Sequence, residues 1–234
     1  MRHPGAELRA VLFDLDGTLA DTAGDFVPVV QTLRAEAGLP PLPAARIRAS
    51  VSNGARGLVT LALDLVEGDS AFEDRRQRLL ALYGGILGTH AALFPGLRRL
   101  IGGLAAAGIP WGVATNKPRE LTLPLLERLA IAPAAASVVC PEDVGRRKPD
   151  PESLLRNCRD IGCPPETAVY VGDHARDIEA GRRAGLYTIA AAYGYIEPGD
   201  DPGAWGADAV ADSSEALADL LLQATPATSL EGTA

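Results

Sequence analysis

Short apolar runs alternate with amphipathic segments along the second half of the chain. Runs of about four apolar residues are typical of buried strands, whereas apolar residues three and four positions apart mark one face of a helix. Leu97, Leu100, Ile101 and Leu104 have the helical spacing, and Gly108 is placed to end that helix. The other predicted elements are strands at 11–13, 111–115, 137–140, 168–171, 188–192 and 209–211, and helices at 121–129 (with Pro124 in the first turn), 151–161 and 178–184. This βαβ alternation predicts an α/β fold with a doubly wound parallel sheet.

Residues 20–90 interrupt this alternation, because they contain helical patterns and no convincing strand. Apolar spacing predicts helices around 26–37, 58–65 and 72–83. The segment 52–57 is rich in turn residues and is predicted to be a loop that reaches into a site. The predicted organisation is a core of residues 1–19 and 91–223, a helical cap over 20–90, and a disordered tail over 224–234.

Two aspartates, one residue apart, follow the first predicted strand and carry the main chemical signal of the chain. They lie in the segment Val-Leu-Phe-Asp14-Leu-Asp16-Gly17-Thr. Side chains at i and i+2 share one face of an extended chain, and Gly17 allows a sharp turn. Such a pair could bind a divalent metal, or could act as nucleophile and general acid/base. The early glycine and the missing closing glutamate exclude a calcium-binding loop.

Three more motifs follow in chain order: Thr115-Asn116 after an apolar strand, Lys148-Pro149, and the pattern GDxxxD from Gly172 to Asp177. Together with the aspartate pair, they resemble the four motifs of the haloacid dehalogenase (HAD) superfamily in its phosphatase form. The resemblance extends over roughly residues 8–222. It implies a Rossmann-like HAD core with a small α-helical C1 cap inserted after the first strand.

The resemblance also implies a role for each motif residue. Asp14 would be the nucleophile and Asp16 the general acid/base, and dehalogenases of the superfamily lack this second acid. Mg²⁺ would be the cofactor. Its implied ligands are Asp14, the backbone carbonyl of Asp16, and Asp173, with Asp177 acting through water or orienting the others. Thr115, Asn116 and Lys148 would bind the phosphoryl oxygens.

Several of these residues also have simpler explanations. Lys148 could be a solvated loop lysine, and Asp177 could be the N-cap of the helix that follows it. We interpret His174 as a neighbour of the metal site and not as a ligand. In the cap loop, Arg56 and Asn53 are candidates for substrate specificity, with Arg56 meeting a substrate carboxylate, although Arg56 could equally be an ordinary surface arginine.

The implied function is Mg²⁺-dependent hydrolysis of a phosphomonoester through an aspartyl-phosphate intermediate. The implied substrate is a small carboxylated phosphometabolite, either N-acetylmuramic acid 6-phosphate or 2-phosphoglycolate. The segments 52–56, 111–118, 193–196 and 205–208 resemble more closely the branch that acts on the first, and 193–195 is predicted to point from the active-site side. The alternatives are a sugar-phosphate mutase with the same nucleophile and a non-catalytic phosphate-binding or receiver-like module. The complete acid set and the cap disfavour the module.

Composition narrows the possible partners and compartment. The net charge of −8, from 22 basic and 30 acidic residues, disfavours nonspecific nucleic-acid binding. The three cysteines, Cys140, Cys158 and Cys163, form no CxxC pair. This favours a reducing compartment and disfavours both a disulfide scaffold and a zinc site. No signal-peptide pattern and no apolar stretch near the ~20 residues of a membrane span occur in the sequence. We therefore expect a cytoplasmic enzyme, a monomer or weak homodimer, with a small-molecule phosphorylated substrate and no nucleic-acid or membrane partner.

Overall fold

A computed structural model describes residues 8–131 and 135–225, and its centre is a six-stranded parallel sheet. The sheet strands are β1 (Ala10–Phe13), β4 (Trp111–Ala114), β5 (Ser137–Val139), β6 (Ala168–Gly172), β7 (Tyr187–Ala191) and β8 (Ala209–Ala211). Their order across the sheet is β5-β4-β1-β6-β7-β8. The helices associated with the sheet are α5 (Leu97–Ala106), α6 (Arg119–Arg128), α7 (Glu152–Ile161), α8 (Ala175–Ala184) and α9 (Ser214–Gln223). The predicted α/β class and parallel sheet are confirmed. Most of the tail predicted over 224–234 lies outside the described residues. Within the described ranges, none of the helices is long and apolar enough to cross a membrane.

Strand β1 lies in the interior of the sheet, and its position explains its composition. All four of its residues are fully buried, because it pairs with β4 on one side and β6 on the other and is covered on both faces. Such a strand is apolar at every position and not only at alternate ones. Phe13 pairs with Val113 and Val171, so the residues that follow β1, β4 and β6 meet at one edge of the sheet. That edge carries three of the four sequence motifs.

Four helices cover this edge, and we refer to them as the cap: α1 (Ala23–Glu36), α2 (Ala44–Ala49), α3 (Gly54–Leu63) and α4 (Phe72–Ile86). Phe26 of α1 and Tyr83 of α4 stack with their ring centroids 4.1 Å apart. Two short strands, β2 (Ala20–Asp21) and β3 (Ala92–Leu93), pair antiparallel at the two ends of the cap. The prediction that 20–90 lacks strands was therefore wrong at Ala20–Asp21. The domain boundaries themselves remain a prediction.

Two local predictions in these helices were also wrong. Helix α6 begins at Arg119, directly after Pro118, so Pro124 lies inside the helix and not in its first turn. In the cap, Val51–Asn53 forms a 3₁₀ turn and α3 begins at Gly54, so only the first two residues of the predicted loop 52–57 lie outside the α-helix. In both cases a helix starts earlier than its first regularly spaced apolar residue indicates.

Candidate active site

A pocket of about 280 Å³ lies between the carboxyl edge of the sheet and the cap. The sequence-predicted residues that line it are Asp14, Asp16, Asn53, Arg56, Thr115, Asn116 and Lys148. Residues from three separate strand ends and from the cap loop thus come together in one cavity. Asp173 and Asp177 lie behind the pocket wall and are almost fully buried.

Three of the predicted acids form one cluster. Oxygen atoms of Asp14, Asp173 and Asp177 all lie within 4.8 Å of one another. Two glycines make this close packing possible. A Cβ atom on Gly17 would lie 2.0 Å from Asp173 Oδ2, and a Cβ atom on Gly172 would lie 2.3 Å from the Asp177 Cβ atom. Gly17 also adopts a φ of 84°, which strongly favours glycine.

Lys148 is the ammonium that faces this cluster. Its Nζ atom lies 2.8 Å from both Asp14 Oδ1 and Asp177 Oδ1, and it donates hydrogen bonds to the Ala114 carbonyl and the Tyr170 hydroxyl at the same distance. Only 1% of the Lys148 side chain is exposed, so the alternative of a solvated loop lysine is wrong. The cluster holds three carboxylates but one buried ammonium, which pairs with Asp14 and Asp177, so negative charge is in excess.

Burial and neighbouring carboxylates together raise the pKa values of two of these acids. Burial, followed by the charges of Asp14 and Asp177, raises the pKa of Asp173 from 3.8 to about 8. Burial also raises the pKa of Asp14 to about 6, although Lys148 acts in the opposite direction. Asp177 Oδ2 is buried and accepts no hydrogen bond within the described residues. Packed carboxylates that repel one another, with an unsatisfied oxygen, suit a hard divalent cation such as Mg²⁺.

Asp16 is directed to different partners from Asp14. Its Oδ1 atom accepts hydrogen bonds from Thr22 Oγ1 at 2.7 Å and from Lys117 Nζ at 2.9 Å. Lys117 directly follows Thr115-Asn116 but was not predicted to be a site residue. The two aspartates of the first motif therefore contact different lysines, Asp14 contacting Lys148 and Asp16 contacting Lys117.

Thr115 and Asn116 are positioned by the loop after β4. Thr115 is buried, and its hydroxyl oxygen accepts a hydrogen bond from the backbone N–H of Lys117 at 3.1 Å. The Asn116 amide donates to the backbone carbonyl of Lys148 at 3.3 Å. Both residues line the pocket beside Asp14. Their role as phosphoryl ligands remains a prediction.

His174 and Asp177 follow β6 and have different structural roles. His174 is the N-cap of α8, because its Nδ1 atom accepts from the Arg176 backbone N–H at 3.2 Å. Asp177 lies within the first turn of α8 with its carboxylate in the acid cluster, so the alternative of Asp177 as N-cap is wrong. His174 is absent from the cluster of possible metal ligands within the described residues.

The two predicted specificity residues lie at the pocket but already have protein partners. Arg56 forms an ion pair with Glu67, and more than half of each side chain is exposed. The Asn53 amide donates to Glu197 Oε1 at 2.8 Å. Their contact with substrate remains a prediction. Arg147 also lines the pocket, and within the described part of the chain its guanidinium has neither a hydrogen bond nor an ion pair.

Asp173 connects the acid cluster to the cap and to the loop after β7. Asp173 Oδ2 accepts from the Ser52 hydroxyl at 2.7 Å and from the Tyr195 backbone N–H at 2.9 Å. The Tyr195 hydroxyl in turn accepts from the backbone N–H groups of Thr22 and Ala23, at 2.6 and 2.9 Å, where α1 begins. Ser52 was not predicted as an individual site residue, although both it and Tyr195 lie in segments that the sequence indicated.

A parallel sheet flanked by helices, with clustered acids at its carboxyl edge and a helical cap over them, defines a capped α/β enzyme with an acidic active site. Residues 8–185 match the haloacid dehalogenase-like hydrolase family, and the chain belongs to that family. It is 44% identical to N-acetylmuramic acid 6-phosphate phosphatase of Pseudomonas aeruginosa, over 92% of this chain and 95% of that one. It is 39% identical to phosphoglycolate phosphatase of Xanthomonas campestris, over 93% and 96%.

Solved structures agree on the fold. A crystal structure of a protein described as a predicted phosphoglycolate phosphatase, from Haemophilus somnus, superposes with a TM-score of 0.82 at 23% identity. The match covers 92% of this chain and 99% of that one. The cap and the sheet described above are therefore the arrangement found in that crystal structure.

Proposed function

We propose that this protein is a Mg²⁺-dependent phosphomonoesterase in which Asp14 is the nucleophile. The observation that carries the proposal is the arrangement of the acid cluster. Asp14 lines the pocket with 15% of its side chain exposed, whereas Asp173 and Asp177 are buried behind it. One carboxylate is thus accessible to a substrate, and two others are placed to hold a cation.

The proposed reaction has two steps. In the first, an Asp14 oxygen attacks phosphorus, the P–O bond to the leaving group breaks, and the leaving oxygen takes the proton of the Asp16 carboxyl group. In the second, Asp16 takes a proton from water as the water oxygen attacks the aspartyl phosphate. The bond between phosphorus and Asp14 breaks, and inorganic phosphate is released. Splitting hydrolysis in this way makes each step easier, and the acid/base group contributes a factor of ~10²–10⁴.

Asp14, Asp173 and the backbone carbonyl of Asp16 would hold Mg²⁺, with Asp177 acting through water. The bound ion offsets the charge repulsion between the nucleophile and the phosphoryl group. Lys148 lies 2.8 Å from Asp14 Oδ1, where it orients the nucleophile. Thr115 and Asn116 line the same pocket, which supports their role as ligands of the phosphoryl oxygens.

We propose N-acetylmuramic acid 6-phosphate as the preferred substrate, ahead of 2-phosphoglycolate. The relative from Pseudomonas aeruginosa is named for hydrolysis of the former. The pocket, with a volume of about 280 Å³, supports the choice through its lining. Its wall combines the rings of Phe26 and Tyr83 with the guanidinium groups of Arg56 and Arg147, which suit a sugar face and a carboxylate.

The proposal is tested by measuring inorganic phosphate released from N-acetylmuramic acid 6-phosphate, 2-phosphoglycolate and N-acetylglucosamine 6-phosphate. The last compound lacks the carboxylate and controls for it. We expect turnover with Mg²⁺, none in EDTA, and little with Ca²⁺, whose coordination shell is larger and looser. A product that keeps its phosphoryl group would indicate a mutase, and no turnover on any ester would indicate a binding module. Full activity in EDTA would refute the metal assignment.

A further inference from the structure

Lysine is rare in this chain and occurs only at the pocket. The sequence contains 20 arginines and two lysines, Lys117 and Lys148. Their side chains are 6% and 1% exposed. Lys117 pairs with Asp16, whereas Lys148 pairs with both Asp14 and Asp177. A lysine ammonium is a compact point charge, whereas the arginine guanidinium is a wide planar group. Each of the two compact cations therefore contacts one aspartate of the first motif.

Lys117 also connects the core to the cap. Its Nζ atom lies 2.9 Å from Asp16 Oδ1 and donates to the Tyr83 hydroxyl at 2.7 Å. The same atom lies 4.4 Å from the ring centroid of Tyr83 and 5.2 Å from that of Phe26. Asp16 belongs to the core, whereas both rings belong to cap helices. The ammonium is therefore enclosed by one core carboxylate and two cap aromatics, a favourable environment for a cation.

We propose that Lys117 is a positioning residue that fixes the Asp16 carboxylate when the cap covers the pocket. The inference rests on the proposed function, because it assigns a partner to the proposed acid/base. Lys117 and Thr22 both bind Oδ1 of Asp16. Within the described residues no hydrogen bond is made to Oδ2. One oxygen is therefore anchored, and the other is left to exchange a proton with the leaving group or with water.

The cap makes this anchor conditional. If α1 and α4 moved away from the core, water would replace Phe26 and Tyr83 around the ammonium. An exposed ion pair is screened and worth far less than an enclosed one. Asp16 would then lose its fixed orientation, and general acid/base catalysis would be efficient only with the cap in place.

A leaving-group comparison tests the role in catalysis. The rate at which N-acetylglucosamine 6-phosphate phosphorylates Asp14 is measured by rapid acid quench. In Lys117→Met we expect this rate to fall about 10- to 100-fold, which is part of the factor of ~10²–10⁴ that acid/base catalysis supplies. Phosphorylation by 4-nitrophenyl phosphate, whose leaving group needs no proton, should change far less. Equal losses with both esters would mean that Lys117 binds the phosphoryl group. A raised KM with unchanged kcat would mean that it binds the rest of the substrate, and either result overturns the proposal.

Chemical rescue guards against a variant that merely folds badly. Lys117→Cys alkylated with 2-bromoethylamine regains an ammonium at nearly the same position, and we expect it to recover most of the lost rate with the sugar phosphate. Wild-type protein treated identically controls for reaction of the native cysteines, which are buried. Modification confirmed by mass spectrometry without recovery of the rate would refute the positioning role.

Lysine labelling tests the link to the cap without measuring turnover. Reductive methylation, quantified by mass spectrometry, gives the labelling rate of Lys117 relative to Lys148. Tyr83→Phe keeps the ring and removes the hydroxyl that accepts from Lys117, so we expect this ratio to rise several-fold. An unchanged ratio in both Tyr83→Phe and Tyr83→Ala would show that the cap does not enclose Lys117. If the wild-type protein hydrolysed no phosphomonoester, the proposed function would fail, but the labelling ratio would still decide whether the cap encloses Lys117.

Discussion

The buried acid cluster predicts that the metal-free protein becomes less stable as the pH rises. In the unfolded chain, the aspartates titrate near 3.8, whereas in the folded protein the pKa of Asp173 is about 8 and that of Asp14 about 6. Between these limits the folded protein keeps protons that the unfolded chain has released. The free energy of unfolding must therefore fall with increasing pH. This contribution is fully present below about pH 4 and is lost as the pH passes through the folded-state values.

The size of the effect follows from the shift of Asp173. Each pKa unit corresponds to about 1.4 kcal/mol, so a shift from 3.8 to about 8 corresponds to a loss on the order of 5 kcal/mol across that range. Asp14 and Asp173 interact, so the titration steps belong to the cluster and their shifts are not summed. Burial lowers the pKa of His174, which acts in the opposite direction near pH 6. Asp173→Asn removes the largest shift and leaves His174 in place, so it is the matched control.

Urea unfolding in EDTA between about pH 5 and pH 8.5 measures this loss, because the cluster titrates within that range. We expect the free energy of unfolding to fall for the wild type and to change much less for Asp173→Asn. Mg²⁺ should restore the wild type, and more at the alkaline end, because there the cation does not have to displace a proton. A wild-type stability that is flat or rises with pH would refute the reasoning. So would an equal gain from Mg²⁺ at both ends of the range.

Three further predictions concern activity. Asp14→Asn should abolish phosphate release without unfolding the protein, since an amide is not a nucleophile toward phosphorus; activity above a few per cent, with mass spectrometry excluding deamidation, would remove the assignment. Asp16→Asn should slow hydrolysis of the intermediate, so that phosphorylated enzyme can be trapped by acid quench, and wild-type turnover would exclude Asp16 from catalysis. Arg56→Ala should lower kcat/KM on N-acetylmuramic acid 6-phosphate by about 10- to 150-fold, equivalent to the ~1.5–3 kcal/mol of a charge-assisted hydrogen bond, and should hardly affect N-acetylglucosamine 6-phosphate. If Arg147→Ala gives that selective loss and Arg56→Ala does not, the carboxylate contact belongs to Arg147.

The acid cluster was predictable because parallel strands bring their carboxyl ends to one edge. Apolar runs locate the ends of β1, β4 and β6, and the residues that follow them include Asp14, Thr115 and Asp173. Their proximity then follows from the sheet alone, before any side-chain packing is known. The order of the strands and the burial of Asp177 complete the cluster, and these depend on tertiary structure.

The contacts between cap and core were not predictable in the same way. Periodicity located three of the four cap helices but gave no orientation for them relative to the sheet. The pairing of Lys117 with Tyr83 joins residues 34 positions apart, and that of Ser52 with Asp173 joins residues 121 apart. Nothing in the local sequence links these residues. The role of Lys117 could not be predicted from its position after Thr115-Asn116, because it depends on the cap rings that surround its ammonium.

The paired strands β2 and β3 bring together the two points where the chain leaves and re-enters the sheet domain. The chain therefore connects the intervening helices to the sheet domain only through this strand pair. The sheet domain requires that β2 and β3 pair, whatever segment joins them. Closing a longer or shorter loop between fixed ends changes the entropy by only ~0.6 kcal/mol for each doubling of length. A helical segment of different size, grafted between Asp21 and Ala92, would leave the strand order and the strand ends that carry Asp14 and Asp173 as they are. It would replace Tyr83, Ser52 and Arg56, and with them the cap side of the pocket that a substrate meets.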